Sequence, residues 1–113
     1  LRRLLEMTNE IFGTSFNGVL VNYYANGNES IGDHSDDESG LHNGMVVALS
    51  LGAERNFRIR DKNTKKIVKD VKTTHSTYLV MNGDFQKEFT HGIPVQKKIT
   101  VGRYSFTFRY HSS

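Results

Sequence analysis

Residues 103–110 read Arg103-Tyr104-Ser105-Phe106-Thr107-Phe108-Arg109-Tyr110. Polar and aromatic side chains alternate strictly along this stretch, which is typical of a β-strand because successive side chains point to opposite faces. We expect the aromatic face to be buried, since four exposed rings would form an adhesive patch. The polar face, with an arginine at each end, then borders either solvent or a polar interior, and the pattern alone favours neither.

Short strand-like segments separated by turn signals make up most of the chain before this stretch. Residues 1–12 are the exception, because their apolar side chains recur at helical spacing and Gly13 follows. The 45–51 run is almost continuously apolar, so both of its faces should be covered. This organisation favours a mainly β fold in which one helix packs on an antiparallel double sheet. We predict the strands at residues 16–24, 45–51, 56–60, 66–71, 77–81, 99–101 and 103–110.

Length and composition restrict the class of protein. The chain has 113 residues, which is enough for one domain. It contains no cysteine, so disulfides, thiolate metal sites and cysteine nucleophiles are excluded. It also has no apolar run of about 18 residues, so we expect no membrane segment and no membrane partner.

A basic hairpin is predicted at residues 58–72, which hold seven basic and two acidic residues. The turn signal Asp61-Lys62-Asn63-Thr64 separates its two strands. Such a patch can contact phosphate groups. Alternatively, its lysines keep an exposed sheet edge from aggregating, and composition alone slightly favours this interpretation.

The tripeptide His34-Ser35-Asp36 is a candidate metal-binding element. Residues two apart on a strand point to the same side, so the imidazole and the carboxylate could reach one ion. Two histidines and one carboxylate leave coordination positions open, which suits Fe(II) with O₂ and a bidentate cosubstrate. Zinc is the competing ion. The tripeptide by itself is a weak signal, since two polar loop residues give the same pattern.

A third ligand must come from elsewhere in the chain. His42 sits in a loop of glycine and asparagine, and His111 lies near the end of the sequence. The credible candidates are His75, in a turn rich in threonine and serine, and His91, which follows a strand-like stretch. The residues themselves do not choose between His75 and His91.

Two polar pairs are candidates for binding an anion. If Arg103 and Arg109 face inward, they need anionic partners, because an unpaired buried charge costs several kcal/mol. A dicarboxylate would meet this need, since arginine binds carboxylate bidentately, whereas surface acids would pair with a solvent-facing strand. Asn22 and Tyr24 share another strand face, and both can donate hydrogen bonds to a carboxylate. The alternative for Tyr24 is a tyrosine at a strand end with a solvated hydroxyl.

Taken together, these segments resemble the AlkB family of 2-oxoglutarate dioxygenases. The agreement in order and spacing covers roughly positions 16–110. No single segment is specific, whereas the joint match is. The matching stretches are residues 16–27 (FNGVLVNYYANG), 31–38 (IGDHSDDE), 50–57 (SLGAERNF), 81–83 (MNG), 91–94 (HGIP) and 103–109 (RYSFTFR).

The resemblance implies a double-stranded β-helix (jelly-roll) core with a short N-terminal helix. It implies that His34, Asp36 and His91 hold Fe(II) and form the catalytic centre. Arg103 is implied to bind the far carboxylate of 2-oxoglutarate, with Arg109 nearer the metal.

Further contacts are implied for both the cosubstrate and the substrate. Ser105 stands where the family pattern leads us to expect asparagine, and serine reaches less far. The implied cosubstrate contacts are Asn22, Tyr24, Ser105 and Thr107, and the implied contacts to the damaged base are Glu38 and Asp37.

The implied activity is oxidative demethylation of N-alkylated bases in DNA or RNA, with Fe(II), 2-oxoglutarate and O₂. The partner is then alkylated single-stranded or duplex nucleic acid, whose target base must be unpaired or flipped out. We expect an intracellular monomer in the cytoplasm or nucleus. We also expect residues 1–113 to form a single catalytic core without the family's nucleotide-recognition lid, which precedes the strand at Phe16.

Two other classes of function are alternatives for this sequence. A 2-oxoglutarate-dependent hydroxylase or demethylase acting on a protein or small molecule would share the fold, because fold does not fix substrate. A non-catalytic binding module is disfavoured by the intact set of His34, Asp36, His91, Arg103 and Arg109.

Overall fold

The computed structural model describes residues 1–36, 45–82 and 84–111. Within these ranges, eight strands and two helices are found. Their bounds are α1 (Arg2–Phe12), β1 (Gly18–Tyr24), β2 (Ile31–His34), β3 (Val46–Gly52), β4 (Arg55–Asp61), β5 (Ile67–Thr73), β6 (Thr77–Met81), α2 (Phe85–Glu88), β7 (Phe89–Ile93) and β8 (Arg103–Arg109).

The strands form two four-stranded antiparallel sheets. The first sheet has the order β1-β8-β3-β6, and the second has the order β2-β7-β4-β5. The chain therefore passes repeatedly between the sheets, as in a jelly roll. The predicted mainly β jelly-roll fold with a short N-terminal helix is confirmed.

Helix α1 covers the outer face of the first sheet. It ends at Gly13, whose φ of 63° lies in the left-handed region that suits glycine. Its Thr8 is fully buried and shares a 2.8 Å hydrogen bond with the Tyr78 hydroxyl of β6. Leu4, Leu5 and Phe12 pack against a cluster of buried side chains on this face. The cluster consists of Phe16, Val47, Leu49 and Phe108.

Strand β3 contributes to the core on both of its faces. Val47 and Leu49 pack under α1, whereas Val46 and Ala48 point into the space between the sheets. All residues from Val46 to Ser50 are buried. The predicted two-sided burial of this apolar run is confirmed, since a central strand covered on both faces excludes water from both.

Two sequence-based expectations are wrong. Residues 99–101 form no strand, because this segment bonds to the turn after β1 instead: Gly27 N–H donates to Ile99 O at 2.8 Å. The aromatic face of β8 is not uniformly buried, since Tyr104 is 48% exposed. Tyr104 lies outside the cluster under α1 and packs on the Tyr23 ring, with centroids 4.6 Å apart.

Arg55, at the start of β4, holds together the loops at one end of the sandwich. It is 1% exposed, so its charge is removed from water. Its guanidinium compensates by donating hydrogen bonds to four acceptors in two loops, residues 26–29 and 94–96. The acceptors are Asn26 O (3.3 Å), Glu29 O (2.7 Å), Pro94 O (2.8 Å) and Gln96 Oε1 (3.3 Å).

No helix in the described ranges is long and apolar enough to cross a membrane.

We expect Arg55→Met to reduce the free energy of unfolding by about 3 kcal/mol or more, because several buried oxygens lose their donor. The matched control is Arg58→Met, which breaks a partly exposed ion pair with Asp70 (2.9 Å) and should cost about 1 kcal/mol or less. Urea denaturation of the two variants measures the difference. Equal losses would contradict the assigned role of Arg55.

Candidate active site

Two histidines on neighbouring strands of the second sheet face one carboxylate. His34 ends β2, and His91 lies directly opposite it on β7. Their ring centroids are 4.4 Å apart. One ligand atom from each of His34, Asp36 and His91 lies within 4.8 Å of the others, which is close enough for a shared ion.

Asp36 reaches this position differently from what the sequence suggests. Strand β2 ends at His34, so the two residues do not share a strand face; Asp36 lies beyond the strand end. Its carboxylate is buried, with Oδ2 3.2 Å from His91 Nε2 and Oδ1 3.9 Å from His34 Nε2. Arg109 Nη2 lies 3.3 Å from Oδ1. Burial alone would raise the pKa of Asp36, but the His91 hydrogen bond and the Arg109 charge together hold it below its ordinary value.

Both imidazoles direct Nε2 toward the Asp36 carboxylate. His34 Nδ1 lies 2.9 Å from Gly32 O, and since a carbonyl can only accept, Nδ1 carries the proton. His34 Nε2 therefore keeps its lone pair for an ion. The His91 ring is buried and stacks on Phe57, with centroids 5.0 Å apart. Two imidazole nitrogens and one carboxylate on one side of a cavity fit Fe(II), because coordination positions remain open.

A single cleft connects this group to the polar face of β8. It opens to solvent, and the space between its walls amounts to about 520 Å³ when the solvent-filled mouth is included. Apolar residues of both sheets form much of its wall, including Ile31, Leu79 and Ile93. Its polar lining consists of Asn22, His34, Asp36, Ser50, Thr73, His91, Arg103, Ser105, Thr107 and Arg109.

The register of the first sheet explains this lining. Ser105 lies opposite Asn22 on one side and Ser50 on the other, so three short polar side chains form a row across the sheet. Thr107 pairs with Leu20 and Ala48 in the next row. The polar face of β8 therefore borders the interior, which settles the question that its alternation left open.

Arg103 is buried at the end of the cleft away from the histidines. Its Nη2 donates to Ser50 Oγ at 2.8 Å. Its Nε and Nη1 are also buried, and neither makes a hydrogen bond of good geometry with the residues that the structure describes, although the Tyr24 hydroxyl interacts with the guanidinium. Burial lowers the pKa of Arg103, since desolvation disfavours the cation. Buried donors on a guanidinium fit a carboxylate ligand, which could accept from two of them at once.

Tyr24 lies beside Arg103 and is not among the residues that line the cleft. Two guanidinium groups lie over its ring, with the Cζ atoms of Arg55 and Arg103 each 5.4 Å from the centroid. Burial raises the pKa of Tyr24 despite the opposing influence of these cations, so the hydroxyl stays protonated at neutral pH. In this structure Tyr24 therefore supports Arg103 directly.

Several residues that shape the site were not identified from the sequence. Ser35 Oγ donates to Phe89 O at 2.6 Å, and Arg60 pairs with Asp33 at 2.9 Å, so both neighbours of His34 are anchored. Gly92 lets β2 approach β7, because a Cβ there would lie 2.8 Å from Ile31 O. A glycine inside a strand can mark such an approach, and this signal was present in the sequence.

The remaining sequence candidates lie elsewhere. His75 occupies the turn before β6, where its Nδ1 accepts a hydrogen bond from Gly52 N–H at 2.9 Å, and it is not part of the metal-ligand group. Asp37, Glu38 and His42 lie outside the described residues.

Comparisons with known proteins agree with this geometry. The family model described as the 2OG-Fe(II) oxygenase superfamily matches residues 1–109, so the chain belongs to that family. Within it, the chain is AlkB-like. It is 34% identical to human DNA oxidative demethylase ALKBH2 over 117 residues, covering 96% of this chain and 45% of the relative. It is 36% identical to human alpha-ketoglutarate-dependent dioxygenase alkB homolog 3 over 118 residues, covering 96% and 41%.

The solved structure of OsALKBH1 has the same fold, with a TM-score of 0.65 and 24% identity over 95% of this chain and 61% of that one. By comparison, the chain spans less than half the length of either human relative.

We expect Mn(II), a redox-stable substitute for Fe(II), to raise the melting temperature of the protein, because an ion that binds only the folded state stabilises it. His91→Ala should abolish this increase. His75→Ala, the matched control, should retain it. An increase that survives His91→Ala and disappears with His75→Ala would contradict the assignment of His91 to the metal-ligand group.

Proposed function

We propose that this chain is the catalytic core of an Fe(II)- and 2-oxoglutarate-dependent dioxygenase that demethylates N-alkylated bases in DNA or RNA. The observation that carries the proposal is the single cleft that joins the His34, Asp36 and His91 group to the buried donors of Arg103. A metal-ligand group and a carboxylate-binding arginine in one cavity match the two requirements of this chemistry. Membership of the 2OG-Fe(II) oxygenase superfamily supports the same conclusion.

The metal ligands in this proposal are His34, Asp36 and His91. Bound iron would supply the oxidation, which consumes O₂ and 2-oxoglutarate and yields succinate, CO₂ and the methyl group as formaldehyde. Contacts with His91 and Arg109 keep the pKa of Asp36 low, so the carboxylate is ionised and can bind a cation at neutral pH. The rings of Phe57 and Phe85 lie against His91 and exclude water from that side.

The cosubstrate site is formed by the polar face of β8 and its neighbours. Arg103 binds the far carboxylate of 2-oxoglutarate, while Tyr24 holds its guanidinium in place. Arg109 acts at the metal end, where it contacts Asp36. The residues proposed to contact the chain of the cosubstrate between these two points are Asn22, Ser105 and Thr107.

Nucleic acid as the substrate is supported by the names of the relatives and by the β4–β5 hairpin. Both arginines of this hairpin are engaged in ion pairs, Arg58 with Asp70 and Arg60 with Asp33. Lys62 bonds to the backbone of α2, whereas Lys65, Lys66, Lys69 and Lys72 are exposed. Lys69 lies opposite Ile59, which lies opposite His91, so the three share one face of the second sheet. Two strand spacings place the Lys69 and His91 backbones about 10 Å apart, within reach of a phosphate beside a bound nucleotide.

The proposal also covers the contacts to the substrate base, the oligomeric state and the location of the protein. Glu38 and Asp37 are proposed to contact the damaged base. A monomer is proposed, acting inside the cell where nucleic acid is found. The target base must leave its stack to reach a buried metal centre, because the triad lies between two sheets.

Arg103→Met should weaken binding of 2-oxoglutarate by about 100-fold, because two charge-assisted hydrogen bonds are lost at 1.5 kcal/mol or more each. Anaerobic calorimetry on the Mn(II)-loaded protein measures the dissociation constant. Arg58→Met, which removes an arginine outside the cleft, is the control and should bind normally. Unchanged binding by Arg103→Met would exclude Arg103 as the carboxylate ligand.

The activity itself is tested by incubating the protein with Fe(II), 2-oxoglutarate and an oligonucleotide containing 1-methyladenine. We expect formaldehyde release and the mass loss of one methylene unit, both abolished by Asp36→Ala. Succinate formation without loss of the methyl group would instead favour a protein or small-molecule substrate. Absence of both products from a metal-loaded protein would end the proposal.

A further inference from the structure

The segment that carries His34 and Asp36 is only weakly held by its own strand. Strand β2 has four residues and pairs with β7 at Ile31↔Ile93 and His34↔His91, with a register shift between these two positions. Asp36 comes after the end of β2 and takes no place in the ladder. Backbone pairing therefore fixes His34, whereas Asp36 needs another anchor.

That anchor is a side chain from helix α2. Gln86 is 4% exposed, and its Oε1 accepts a hydrogen bond from the Asp36 backbone N–H at 2.7 Å. Its Nε2 lies 3.6 Å from Met81 Sδ, a weak contact that orients the amide within the core. The two bonded residues are 50 positions apart in sequence, so the contact exists only in the folded chain.

Gln86 is itself held firmly. Its backbone oxygen accepts a hydrogen bond from Lys62 Nζ at 2.7 Å, and Lys62 N–H donates to Glu88 O at 3.0 Å. The turn between β4 and β5 therefore fixes α2 at both ends. Because α2 runs directly into β7, one short segment carries both the anchor of Asp36 and the ligand His91.

We infer that Gln86 is a positioning residue for the metal centre, acting through the Asp36 backbone. By fixing the Asp36 N–H, it holds the carboxylate where its two oxygens face His91 and Arg109. This inference rests on the proposed function, since it takes Asp36 as a metal ligand. Gln86 itself is not a metal ligand in this inference, because its amide is occupied by the Asp36 N–H and Met81 Sδ.

The expected loss of metal affinity can be estimated from other metal sites in proteins. Loss of a residue that orients a metal ligand typically lowers metal affinity by about 10- to 100-fold. Gln86→Met keeps the length of the side chain and removes the acceptor. We therefore expect it to weaken Mn(II) binding by about tenfold or more.

Gln96 provides a matched control. Its Oε1 also accepts a backbone N–H at 2.7 Å, from Asn56, in a loop at the other end of the sandwich. Gln96→Met removes this bond and a longer one from Arg55 Nε (3.3 Å), so it disturbs the fold at least as much as Gln86→Met does. It should nevertheless leave Mn(II) affinity within about twofold of wild type, because it lies away from the metal-ligand group. Mn(II) titration of the full chain, together with the visible spectrum of the Co(II) form, reports affinity and ligand geometry without turnover.

Two outcomes would overturn the inference. One is wild-type Mn(II) affinity and an unchanged Co(II) spectrum in Gln86→Met. The other is an equal loss of Mn(II) affinity in Gln86→Met and Gln96→Met, which would show that the effect is a general loss of stability.

Hydrogen exchange gives an independent test that needs no variant. The Asp36 amide of the metal-free wild-type protein should exchange slowly, because it is buried and bonded to Gln86. Exchange at the rate of an unprotected amide would exclude the contact even if Gln86→Met failed to fold. Failure of the wild-type protein to bind Mn(II) would count against the proposed function alone, since the exchange measurement would still report on Gln86.

Discussion

The Asp36 carboxylate is 6% exposed and faces an imidazole on one oxygen and a guanidinium on the other. A buried charge of this kind is tolerated only when charged or hydrogen-bonding partners surround it. His91 comes from β7, Arg109 from the end of β8, and the backbone contact from Gln86 in α2. Two distant parts of the chain, the continuous α2–β7 segment and the end of β8, must therefore be in place before the carboxylate can be buried, which ties the site to completion of the fold.

Three buried arginines compensate in different ways for the loss of water around their charge. Arg55 is satisfied by carbonyl and amide oxygens, so its role is architectural. Arg109 is compensated by an acidic side chain at the metal-ligand group. Arg103 retains buried donors that the described residues do not satisfy, and it lies in the cleft. The partner that each guanidinium has, and not its burial, distinguishes a structural arginine from one that is suited to a ligand.

The same reasoning separates the charges of the β4–β5 hairpin. From the sequence, seven basic residues at positions 58–72 looked equivalent. The structure commits Arg58 and Arg60 to ion pairs and Lys62 to the backbone of α2. Some basic residues of the hairpin are thus engaged within the protein, whereas the lysines along β5 are exposed. Only these exposed lysines are available to contact phosphate.

The sequence by itself determined the periodic features: the leading helix, the doubly buried strand β3, the hairpin and the alternation of β8. Periodicity reports which residues share a face, because this depends only on local backbone geometry. It could not report which partner a face meets. The choice between His75 and His91, the inward direction of Arg103 and the location of Asp36 beyond its strand all depend on contacts between residues far apart in sequence. The short elements β2, β7 and α2 were missed for the same reason, since they are stabilised by pairing and packing with distant residues and carry little local signal of their own.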